Sequence, residues 1–91
     1  MVDRILEFRG INRDHLGTYF EELGGNLISD GSFPLVYDGE GWRAEILNEE
    51  EISFTKTFIV NAVHIRFAAD SLEELEQLIK KYRYKTTRVG G

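Results

Sequence analysis

The apolar positions of this chain follow two rhythms, and the switches between them mark its elements. "DRILEFRGI" carries Ile5 and Phe8 in a short apolar stretch that stops at Gly10, which predicts a strand over roughly Arg4 to Arg9. The spacing then turns helical: Leu16, Tyr19, Phe20 and Leu23 fall on one stripe before Gly24-Gly25 ends the run. Asn12 stands where a helix cap belongs, and Asp14 falls in the first turn, where the macrodipole favours an anion.

The middle of the chain alternates instead. "GGNLIS" and "FPLVYDGEGW", separated by turn residues, predict two short strands, with Pro34 weakening the second and assigning it to an edge. "GWRAEILN" places Trp42, Ala44 and Ile46 on one face and Arg43 and Glu45 on the other. "EEEISFTKTF" reads as a turn leading into another strand, with Asn48 to Glu51 as a solvated loop. "FIVNAVHIRFA" is the strongest strand: Ile59, Val63, Ile65 and Phe67 share a parity, while His64 and Arg66 take the opposite, wetter face. Helical spacing returns in "DSLEELEQLIKKYRY", where Leu72, Leu75, Leu78, Ile79 and Tyr82 form a stripe. Asp70 or Ser71 is the N-cap, Ser71 and Glu74 make a capping box, and acids early and bases late match the helix dipole.

Strand, helix, a meander of three to five strands, helix and tail give an α+β class: an antiparallel sheet with both helices on one face. At 91 residues the chain suits a single domain, here 1–89, followed by a flexible Gly-Gly tail, 90–91. Hydrophobic residues at 42% and charged residues at 30% are the balance of a folded domain. No apolar run approaches the ~20 residues that span a bilayer, so a cytoplasmic location is the expectation.

Composition removes several chemistries. With no cysteine, disulfides, thiolate catalysis and cysteine-ligated metals are excluded. His15 and His64 share no ligand spacing, no serine sits in a nucleophile elbow, and "DGEG" and "ELGG" are turn and helix-stop signals rather than phosphate loops. The reading is therefore of a non-enzymatic domain without metal or cofactor. A formal net charge of −5 also disfavours a nucleic acid backbone as the general partner.

Two features remain. Lys80, Lys81, Arg83, Lys85 and Arg88 are five of the chain's eleven cations and interleave with Tyr82 and Tyr84. That cluster suits contact with a partner; with Arg43, His64 and Arg66 on the open sheet face, it also frames an alternative, an RNA- or small-ligand-binding module. The second feature is Gly90-Gly91. A terminal Gly-Gly on an extended "TTRVGG" stem is thin enough to enter the site of an ATP-dependent enzyme that activates a terminal carboxylate.

The ending Arg88-Val89-Gly90-Gly91 resembles that of ubiquitin-like sulfur carriers, but a strand-then-helix opening does not suit their β-grasp body. A broader resemblance spans "EFRGINRDHLGTYFEELGG", "GEGWRAEI" and "VHIRFAADSLEELEQLIKKYRYKTTRVGG". Those segments resemble archaeal proteins related to the C-terminal domain of MoaD-related proteins, MoaD being the small, sulfur-carrying subunit of molybdopterin synthase. The resemblance implies a TBP-like β-α-β4-α arrangement and a role in molybdopterin or sulfur-carrier biology. It points to protein partners, a ubiquitin-activating-like enzyme or a MoaD-type carrier, and carries over no catalytic residue.

Overall fold

The structure is a computed structural model that describes residues 1–53 and 55–90, with residues 88–90 given as helix backbone only. Its elements run β1 (Val2–Arg9), α1 (Arg13–Glu22), β2 (Asn26–Leu27), β3 (Leu35–Gly39), β4 (Trp42–Ser53), β5 (Ile59–Ala69) and α2 (Leu72–Gly90). The five strands form one sheet in the order β1-β5-β4-β3-β2, and every neighbouring pair is antiparallel. Alternation along the strands turns Phe8, Tyr37, Ala44, Ile46, Val63, Ile65 and Phe67 to the face that both helices cover. Leu16, Tyr19 and Phe20 of α1 and Leu75, Leu78, Ile79 and Tyr82 of α2 complete that core.

The core is aromatic at its centre. Tyr82 is fully buried and stacks on Phe20 with ring centroids 4.1 Å apart, while Phe8 and Phe67 meet its edge at 5.4 and 5.3 Å. Burial pushes the Tyr82 hydroxyl far above the ordinary phenol range, and the Tyr19 and Tyr37 hydroxyls add to the shift. The group nevertheless has a partner: it donates to the Leu16 carbonyl at 2.7 Å, tying α2 to α1. Tyr37 is raised in the same direction by burial and then by Glu21 and Asp14. Its hydroxyl lies against Gly17, where an added Cβ would collide with it, so glycine sets how closely α1 approaches the sheet.

Both helix starts match their sequence signals. Asn12 Oδ1 accepts from the His15 N–H at 3.0 Å, and Ser71 Oγ accepts from the Glu74 N–H at 3.2 Å.

Several expectations are corrected. Asn48 to Glu51 are not a loop: β4 runs unbroken from Trp42 to Ser53, so "EEEIS" belongs to the same strand as "WRAEI". A register shift between Ile46 and Asn48 leaves Leu47 without a partner, and beyond it the parity reverses. Of the two short strands, the two-residue β2 is the one at an edge, whereas β3 lies inside the sheet and begins after Pro34. Leu72 and Ile59 are exposed, because they lie at element ends past the reach of the opposing layer. Thr86 and Thr87 are helical rather than part of an extended stem.

Candidate partner-binding surface

Helix α2 carries the basic cluster, and its buried stripe decides which of those cations are available. Tyr82 and Thr86 face inward, so Lys80, Lys81 and Tyr84 are left on the solvent side. Arg83 turns toward the sheet, with its guanidinium 6.0 Å from the Phe8 ring centroid. Lys85 lies on the opposite flank, where its Nζ is 2.8 Å from Glu22 Oε1 at the end of α1. Together with Leu23, Gln77 and Thr87, these residues line an open groove of ≈ 800 Å³. The predicted cluster is thus divided: Lys80 and Lys81 project outward, whereas Arg83 lies beside the Phe8 ring and Lys85 is ion-paired with Glu22. Arg88 follows on α2, and its side chain lies outside the described residues.

The helix keeps an inward-facing position as far as Thr86. Thr86 is buried and donates through Oγ1 to the Arg83 carbonyl at 2.9 Å. Gly90 is the final residue of α2, and Gly91 lies outside the described residues.

The open face of the sheet is built differently. Arg43, His64 and Arg66 all reach it, as their parity requires, yet each meets a carboxylate. Arg43 Nε is 3.4 Å from Asp38 Oδ1, and Arg66 lies 3.6 Å from Glu45 and 3.7 Å from Asp3. His64 Nε2 is 3.1 Å from Glu7 Oε2, while its Nδ1 meets Asn48 Oδ1 at 3.0 Å. Strand parity adds Glu50, 4.0 Å from His64, and among the described residues the strand positions on this face hold no aromatic ring to stack a base. Among the described residues, acids thus offset the cations on this face and leave no basic strip to follow a phosphate backbone.

A third arrangement escaped the sequence reading. Beyond the Leu47 bulge, Glu49 takes the helix-covered side of the sheet and reaches the start of α1. Its Oε2 accepts from the Arg13 N–H at 3.0 Å and from Asn61 Nδ2 at 3.1 Å, and Asn61 also donates to the Ile11 carbonyl at 2.7 Å. A carboxylate drawn from a distant strand thus satisfies a first-turn amide of the helix. Nothing local in "NEEE" marks it, because only the bulge chooses which glutamate turns inward.

Among the described residues no group of His, Asp and Glu side chains is placed to hold a metal ion, and no helix is long and apolar enough to cross a membrane. No individually curated protein matches the chain. The model for the archaeal MoaD-like protein matches residues 4–91, from the first strand through both terminal glycines, and the chain belongs to that family.

Proposed function

We propose that this protein is a non-enzymatic domain of molybdopterin or sulfur-carrier biology that acts through protein contacts and presents the Gly90-Gly91 carboxylate to an activating enzyme. The observation that carries the reading is the family match, which extends to residue 91 and so includes the Gly-Gly end. The exposed Lys80 and Lys81 support it, because they lie on the helix that leads to that end and add positive charge to an acidic chain. The body is one domain, 1–89, with the TBP-like arrangement supported by its β-α-β4-α element order.

The anchoring of Thr86 sets the reach. A partner that unwinds the helix from Thr87 onward obtains five residues, or roughly 17 Å of extended chain, without disturbing the core. The cost is modest: the last carbonyls of any helix lack intrahelical partners, and glycine is a poor helix former. In the reaction, the Gly91 carboxylate attacks the α-phosphate of ATP and releases pyrophosphate. A sulfur donor or an amine then displaces AMP to give a thiocarboxylate or an amide.

Incubation of the full chain with the host's activating enzyme and ATP, followed by intact mass, tests the reading. A mass gain matching the adenylate, thiocarboxylate or conjugate is expected, and it should vanish when Gly91 is deleted. An unchanged mass, with wild-type behaviour of the deletion in cells, would overturn it. The alternative, RNA or a small ligand on the open sheet face, loses its cue through the carboxylate pairing of Arg43, His64 and Arg66.

A further inference from the structure

The sheet has two edges of unequal kind. The β2 edge is two residues long, whereas β1 offers eight residues in unbroken register with β5, with no proline and no bulge. A strand of this length on an open edge presents a row of amide and carbonyl groups to whatever can pair with them. Their direction follows from one bond. The Gly10 N–H donates to the Asn61 carbonyl on β5, so even-numbered residues of β1 turn their backbone toward β5. By alternation, Asp3, Ile5, Glu7 and Arg9 turn theirs outward.

The geometry points to a second copy of this chain as the occupant of that edge, with β1 pairing antiparallel to β1 about a two-fold axis at Leu6. The charges of "VDRILEFR" select the register. With Leu6 opposite Leu6, Asp3 falls opposite Arg9 twice, and Ile5 falls opposite Glu7. A slip of two residues in one direction sets Asp3 opposite Glu7, and a slip in the other sets Glu7 opposite itself. Both slips bring like charges together, which is destabilising across strands. Odd slips set outward-turned residues opposite residues whose backbone already bonds β5, so no ladder can form. The central register is therefore self-complementary, as an isologous interface requires.

In that register the four outward residues of each copy form hydrogen-bonded pairs, roughly eight backbone bonds in all. The two five-stranded sheets become one sheet of ten strands with all four helices on the same side. The helix layer agrees with this arrangement. Helix α2 approaches β1 through the contact of Arg83 and Tyr82 with Phe8, and Glu76 lies two turns earlier on the Arg83 stripe. Antiparallel β1 strands bring the Arg83 end of one α2 toward the Glu76 end of the other. Ile5, half exposed in one copy, gains cover from the paired strand.

Sedimentation velocity over a concentration series tests the proposal. The wild-type chain should sediment as a dimer, and Asp3→Arg or Arg9→Asp should each raise the dissociation constant about tenfold or more by turning two attractive pairs into repulsive ones. An equimolar mixture of those two variants should dimerise again, because both pairs between positions 3 and 9 then join opposite charges. Ile5→Pro removes an outward N–H without touching a bond to β5 and should give a monomer whose circular dichroism matches wild type. A monomeric wild type at every concentration overturns the proposal, as does a dimer indifferent to both charge swaps. If Ile5→Pro fails to fold, the swaps and their mixture still decide. None of these outcomes depends on Gly91, so they stand apart from the activation assay.

Discussion

Tyr82→Phe separates packing from hydrogen bonding at the centre of this core, and its effect should change with pH. The substitution keeps the ring stacked on Phe20 and removes only the hydroxyl that donates to the Leu16 carbonyl at 2.7 Å. A buried hydrogen bond of this kind contributes about 1–1.5 kcal/mol, so at pH 7 the variant should be less stable by that amount and melt roughly 4–12 °C lower. At high pH the balance shifts. Burial holds the Tyr82 hydroxyl neutral far above the ordinary phenol value of about 10, while in the unfolded chain it ionises at that value. The unfolded state therefore binds fewer protons above pH 10, and stability falls as pH rises, by about 1.4 kcal/mol per pH unit from this group. Phenylalanine cannot ionise and escapes that loss, so the two proteins should become about equally stable near pH 11. Urea unfolding followed by Trp42 fluorescence at intervals from pH 7 to 11 measures the difference directly. A gap between wild type and variant that stays constant to pH 11 would refute the argument, because it would mean that Tyr82 ionises alike in both states.

Other substitutions probe separate links. Glu49→Ala removes the acceptor for the Arg13 amide and Asn61 and should cost about 1–2 kcal/mol in thermal denaturation. Glu51→Ala, at an exposed position of the same strand, should stay within about 0.5 kcal/mol of wild type. Gly17→Ala gains up to about 1 kcal/mol of helix propensity but drives a methyl into the Tyr37 hydroxyl at a cost of about 1–3 kcal/mol. It should become measurably cheaper in a Tyr37→Phe background, and a double-mutant cycle that returns zero coupling would contradict this contact. Lys80→Glu with Lys81→Glu should leave the melting temperature almost unchanged while slowing association with an acidic partner surface in a salt-dependent way, as stopped-flow or surface plasmon resonance would record.

Local order was legible in the residues and the remote pairings were not. Helical spacing and caps located both helices, and alternation sorted Arg43, His64 and Arg66 from Ala44, Ile65 and Phe67, because both signals are carried by neighbours a few positions apart. The position of Lys80 and Lys81 on a basic, amphipathic helix end was readable for the same reason. What the sequence could not supply was which distant groups would meet. Arg43, His64 and Arg66 look like a binding set until β1, β3 and β4 bring carboxylates beside them. The "NEEE" run reads as a loop because a single unpartnered residue, Leu47, reverses the parity and sends Glu49 to the start of α1. Thr86 is helical and buried because the neighbouring layer supplies its surroundings, while nothing in "TTRVGG" favours a helix. Periodicity thus determined the elements and their inward faces. Register, strand order and the partners of each charge came from the tertiary structure, since they depend on contacts between residues tens of positions apart.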